Sequence, residues 1–158
     1  MSRMLRFAIV FTGAFALIAP ALAQAPAPAP APVWPPIVSD YVASVRKAVK
    51  TMDAKGYLEV VKNPNGALLL DVREPAEFAA GHAPGAVNIP RGLVEFQIYK
   101  LLGYPNKVDT GRKIYVQCAT GGRAALATAS MEKIGFTNVT AVVINWADWE
   151  KAGNPSVK

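Results

Sequence analysis

The 158-residue chain contains one cysteine and one histidine. A single thiol excludes an internal disulfide, so stability has to come from an ordinary hydrophobic core, which about 120 residues can supply. One Cys with one His also excludes a structural zinc site, which takes about four ligands. No resident metal or organic cofactor is expected. Acidic residues are few, 11 against 17 Lys and Arg, and the formal net charge is +6. That basicity is dispersed. No dense Lys/Arg stripe interleaved with aromatics is present, so nucleic acid is not an expected partner. A mild positive field favours a small anionic substrate instead. The chain has no internal repeat.

The hydrophobic content of 52% is high for a soluble protein, and the excess is concentrated at the start. Residues 1–23 read as a secretory signal peptide. Arg3 and Arg6 form the basic region, an apolar run begins at Phe7, and Ala21-Leu22-Ala23 is a small-x-small cleavage pattern. The run of about 17 residues contains Pro20 and is short for a span of roughly 20. An uncleaved N-terminal anchor is the alternative. The expectation is therefore a periplasmic or secreted protein with no stable membrane insertion after cleavage. Loss of Arg3 and Arg6 would lower the net charge from +6 to +4. Residues 24–36 form an Ala/Pro-rich linker. Proline fixes φ and lacks an N–H, so this stretch favours extended polyproline II of about 40 Å. It reads either as a stalk or as a leader that keeps the cleavage site accessible.

The folded domain is expected over 37–158. Tyr41, Val42, Val45 and Val49 recur at helical spacing, with Ser39 as N-cap. A second helix is expected over 54–62 after Asp53, weakened by Gly56. A turn follows at 63–66. The spacing predicts strands over 67–72, 86–89, 113–117 and 139–143, and helices over 92–102, 123–134 and 146–152. The run 67–72 is continuously apolar, as in a strand covered on both faces. Alternating strands and helices predict an α/β fold with a mostly parallel central sheet and helices on both faces.

The chemistry concentrates in Gln117-Cys118-Ala119-Thr120-Gly121-Gly122-Arg123, a tight loop between a predicted strand and a predicted helix. The strand delivers Cys118 at its carboxyl end, where open α/β sheets place their sites. Gly121 and Gly122 let the backbone take conformations that side chains forbid. Successive N–H groups can then point inward and form an anion nest. The following helix adds its positive dipole end, and Arg123 adds a permanent charge with a planar donor fork. Together these favour the thiolate, which is the nucleophile. The plain alternative is a buried structural cysteine. In the rest of the chain, Asp71 and Arg73 read as an internal ion pair or as groups that tune the loop by charge. Glu77 and Asp148 read as solvated or capping groups, and Thr120 as a turn stabiliser or a hydroxyl donor to sulfur. Trp146 reads as a core or rim aromatic that could line the pocket.

These residues carry a resemblance. Cys118 to Arg123 resembles the C-x4-R loop of rhodanese domains. Leu70-Asp71-Val72-Arg73-Glu74-Pro75-Ala76-Glu77-Phe78 is similar to the family's D-V-R-x-x-x-E-F/Y segment. Gly81 to Pro90 is similar to its G-H-I-P-G-A-x-N-I-P segment, and Trp149 to Gly153 resembles its closing W-x-x-x-G. The resemblance covers roughly 51–158, and the exported single-domain form looks like the small periplasmic members. It implies a single rhodanese-like domain and a thiosulfate sulfurtransferase. Cys118 would be catalytic, with Ala119, Thr120, Gly121, Gly122 and Arg123 binding substrate and Asp71, Arg73 and His82 in support. A small anionic sulfur donor would load Cys118 as a persulfide, and a thiol or cyanide would unload it. The chain departs from the family at Ala119, often polar or charged, at Ala124, usually Ser, and at Ile144-Asn145, often Gly-Gly. The last departure is expected to put bulk at the site entrance. The alternatives are a persulfide carrier or interaction module without turnover, and a cysteine phosphatase or arsenate reductase. The last two use a C-x5-R loop one residue longer than this one.

Overall fold

The computed structural model describes residues 34–158. The expected signal peptide and linker residues 24–33 lie outside the described residues. Helix α1 (Pro36–Ala48) has Pro35 at its N-cap, four residues before the expected Ser39. Pro36 occupies the first turn, where its missing N–H costs nothing and its φ is already helical. Ser39 lies inside the helix and donates its hydroxyl to the Pro36 carbonyl at 3.0 Å. Strand β1 (Thr51–Met52) was not expected; two residues carry no readable period. Helix α2 (Ala54–Lys62) begins as expected, and Asp53 accepts from the Gly56 N–H at 2.8 Å. Gly56 also has a packing reason: a Cβ there would lie 2.9 Å from Met52 Cγ.

Strand β2 (Leu68–Asp71) is followed by helix α3 (Pro75–Ala80), also unexpected. Strand β3 is shorter than expected, Val87–Asn88. The predicted helix over 92–102 is instead three pieces: a 3₁₀ turn at Arg91–Leu93, α4 (Val94–Gln97) and a second 3₁₀ turn at Ile98–Leu101. Strand β4 (Ile114–Gln117), helix α5 (Gly122–Lys133), strand β5 (Val139–Val142) and helix α6 (Trp146–Lys151) follow close to expectation.

The five strands form one sheet in the order β1-β5-β4-β2-β3, every pair parallel. Successive side chains alternate across it. Leu70, Ile114, Val116, Val139 and Ala141 enter one core with Val94, Ile98, Ala124, Ala127 and Met131. Leu69, Tyr115 and Val142 enter a second core with Tyr57, Val61, Ile144, Trp146 and Trp149. Both faces are covered, which is why the strands read as unbroken apolar runs. Helix α1 packs against α5 on the first face. The chain turns outward from β2 to β3 on one side and from β4 to β5 on the other. The strand order therefore reverses between β2 and β4, where parallel sheets open a crevice beyond their carboxyl ends. The segments leaving those two strands carry Arg73 and Cys118. Among the described residues, no helix is long and apolar enough to cross a membrane.

Candidate active site

Cys118 follows β4 directly and is 1% exposed. Its Sγ accepts from two backbone N–H groups, Gly121 at 3.2 Å and Ala124 at 3.4 Å. Both donors lie at the start of α5, so the helix dipole adds to them. A sulfur held by two amide donors is suited to the anionic form. Loop curvature comes from Gly121, whose φ of 83° is left-handed. A Cβ there would also lie 3.0 Å from Val143 Cα. Gly122 has no such requirement: it is the first residue of α5 and its φ is not positive. The expectation that both glycines supply forbidden conformations is corrected to one. Thr120 is exposed, and its backbone carbonyl is the engaged group: it accepts from Arg46 Nη2 at 3.2 Å.

Arg123 is turned toward α3. Its Nη1 and Nη2 each donate to Glu77 at 2.7 Å, and Glu74 lies 3.9 Å away. Glu77 also accepts from the Glu74 N–H at 3.0 Å, capping α3. Hydrogen bonding from Arg123 holds the Glu77 carboxyl below its ordinary range. The same bonds raise Arg123, and an ionised Cys118 adds to that effect. Glu77 is thus an ion-pair partner of the loop as well as a cap, and the Arg123 charge is largely compensated in place.

Asp71 and Arg73 form a buried pair. Arg73 Nε donates to both Asp71 oxygens at 3.1 and 3.0 Å, and Nη2 donates at 2.7 Å both to Asp71 and to the Gly81 carbonyl. The guanidinium sits over the Trp146 ring, 4.7 Å from its centroid. Asn88 Nδ2 donates to the carbonyls of Asp71 and Arg73, each at 2.9 Å. His82 is placed apart from the loop. Its Nδ1 donates to the Phe78 carbonyl at 2.9 Å, its ring stacks on Phe78 at 3.7 Å, and its backbone pairs with Val157.

A cleft of about 320 Å³ opens beside the loop, lined in part by Ala119, Thr120, Arg73, Glu77, Asn145 and Trp146. The small side chain of Ala119 faces this space. Ile144 does not crowd the entrance as expected; it is buried in the second core. Asn145 is the entrance residue, and its side-chain Oδ1 accepts from the Ala147 and Asp148 N–H groups to start α6. Trp146 stacks on Trp149 and reaches the cleft, so it serves core and rim together. Sequence reasoning missed Arg46: helical spacing marked α1, but no local signal linked it to a loop 74 residues away.

Residues 53–152 match the family model described as a rhodanese-like domain. The chain belongs to the rhodanese-like domain family. Over 98 residues this rhodanese-like chain is 37% identical to thiosulfate sulfurtransferase 16, chloroplastic, of Arabidopsis thaliana, covering 58% of this chain and 80% of that one. It is 31% identical over 102 residues to the putative sulfur carrier protein YrkF of Bacillus subtilis, covering 65% of this chain. There it spans about half of the relative, 51%. The polysulfide-sulfur transferase homodimer of Wolinella succinogenes has a similar structure, with a TM-score of 0.60 at 25% identity, over 77% of this chain and 87% of that one. The relatives' names share sulfur transfer as their common chemistry.

Proposed function

We propose that this rhodanese-like chain is a sulfurtransferase that holds sulfane sulfur as a persulfide on Cys118. The observation that carries this reading is the pair of N–H groups aimed at Sγ, at 3.2 and 3.4 Å. The Cys118 thiol loses its proton to solvent, and the thiolate attacks the outer sulfur of a thiosulfate-like donor. A new S–S bond forms, the donor's own S–S bond breaks, and its electron pair leaves with sulfite. The terminal persulfide sulfur carries the negative charge, which the same amide donors stabilise. A thiolate or cyanide then attacks that terminal sulfur, forming the product persulfide or thiocyanate and regenerating the Cys118 thiolate. No general base, metal or organic cofactor is required. We place the protein in the periplasm or outside the cell, on the strength of residues 1–23 alone.

The second reading is a persulfide carrier that does not turn over. The 1% exposure of Cys118 favours it, as does the similarity to a protein named as a putative sulfur carrier. A phosphatase is disfavoured on two counts. Only four residues separate Cys118 from Arg123, and Arg123 is already engaged by a carboxylate.

Mass spectrometry after thiosulfate treatment, with steady-state thiosulfate:cyanide assays, separates these readings. We expect a gain of one sulfur on the wild-type protein, cyanide-dependent turnover, and neither in Cys118→Ser. Loading without turnover would support the carrier. Absence of loading would overturn both.

A further inference from the structure

Three arginines surround the Cys118 loop, and they are not equivalent. Arg123 gives both terminal nitrogens to Glu77. Arg73 is committed to Asp71 and the Gly81 carbonyl. Arg46, on α1, makes no ion pair among the described residues. Its Nη2 donates to the Thr120 carbonyl at 3.2 Å, and its Nε–H is buried without an acceptor. The helix that carries it precedes residue 53, where the family match begins. One turn earlier, Val42 closes on the same loop: a Cβ at Gly122 would lie 3.4 Å from its Cγ1.

The bond to Thr120 has a directional consequence. The Thr120 carbonyl and the Gly121 N–H belong to one peptide unit, which is planar and trans, so they point in opposite directions. Arg46 holds the carbonyl on one side while the N–H meets Cys118 Sγ at 3.2 Å on the other. A cation on the carbonyl also polarises the peptide and strengthens its N–H as a donor. Arg46 therefore acts on the sulfur through one rigid lever, and it adds a positive charge that no carboxylate cancels.

We propose that Arg46 is a positioning and specificity residue of this site: it orients the Gly121 N–H toward Cys118 and supplies the net positive charge that selects anionic over neutral reagents at the thiol. The anionic sulfur donor is the natural beneficiary. That identification rests on the proposed function, but the charge selectivity does not.

The test compares alkylation of Cys118 by iodoacetate and by neutral iodoacetamide in the full chain, wild type against Arg46→Gln, Arg46→Met and Arg46→Lys. The expected result is a fall of about three- to tenfold in the iodoacetate-to-iodoacetamide rate ratio in Arg46→Gln and Arg46→Met, with recovery in Arg46→Lys. Hydrogen exchange at the Gly121 amide should accelerate in Arg46→Gln, which a distant stabilising residue would not cause selectively. An unchanged rate ratio in whichever neutral variant folds would overturn the proposal. So would a folded wild-type Cys118 that accepts neither reagent, because no anion could then be steered to it. Thiosulfate loading is measured in parallel. Loss of charge selectivity in a protein that never loads sulfur would retain the role of Arg46 and reject the sulfurtransferase reading. Normal loading with an unchanged ratio would do the reverse.

Discussion

Gly121 and Gly122 are neighbours under different constraints. Gly121 has φ 83° and its missing Cβ would press on Val143. Gly122 opens α5 and would meet Val42 at an ordinary distance of 3.4 Å. Gly121→Ala is therefore expected to cost about 1–3 kcal/mol through left-handed strain and crowding, and to abolish persulfide loading by moving the N–H off Sγ. Gly122→Ala is expected to be neutral or to stabilise by up to about 1 kcal/mol, because Ala loses less entropy in a helix. Urea denaturation reads the first effect, and mass spectrometry after thiosulfate treatment reads the second. Loading by Gly121→Ala at the wild-type rate would contradict the geometry. The Gly-Gly pair was legible in the sequence as loop curvature. Which glycine bends was not, because that depends on where the helix starts and on Val143, just past the end of β5.

At the scale of elements, the site is held by helices that the motifs did not announce. The resemblance at Asp71 to Phe78 drew attention to its residue types, and the six-residue α3 within it has no measurable period. Yet α3 presents Glu77 to Arg123 across 46 residues of sequence. The predicted helix over 92–102 failed for a related reason. Its apolar residues are real, with Val94 and Ile98 buried, but Phe96 is 68% exposed, and 3₁₀ turns flank a single α-helical turn. The α3–α5 latch predicts a pH dependence. Glu77 is held below its ordinary value by Arg123. A depressed carboxylate contributes stability that is fully present above its unfolded value, about 4.3, and that is lost as pH falls through the lower folded value. The pair is about a third exposed, so Glu77→Gln should cost no more than about 1 kcal/mol at neutral pH. The difference from wild type should be constant above about pH 5 and shrink as pH falls below the ordinary carboxyl value of about 4.3. Urea midpoints across pH 3–7 check this. A difference that does not shrink at all on acidification would mean that Glu77 acts by packing or capping alone.

Across the whole molecule, the carboxyl edge of the sheet is tied together by one buried ion pair. Asp71 ends β2, and its partner Arg73 reaches the turn at Gly81 and the Trp146 ring of α6. Asn88 of β3 binds the carbonyls of both. The parallel α/β architecture and the internal pair were both legible in the sequence, because unbroken apolar strands and an Asp-Val-Arg step are local patterns. The convergence of β2, β3, the Gly81 turn and α6 on that pair was not, since it depends on strand order. Asp71 is fully buried and Arg73 is 3% exposed, so neither charge can be left alone without desolvation cost. Asp71→Asn should lower global stability by about 3–5 kcal/mol, because it strands a buried guanidinium. That is a large share of the roughly 5–15 kcal/mol available to a domain. The double variant Asp71→Leu with Arg73→Met should lose less than Asp71→Asn alone, because both charges leave together and apolar atoms refill the space. The Gly81 carbonyl would still lose its donor, so full recovery is not expected. Equilibrium urea unfolding of the three proteins measures the order. A double variant less stable than Asp71→Asn would show that Arg73 supports the fold chiefly through Gly81 and Trp146, with Asp71 the lesser partner.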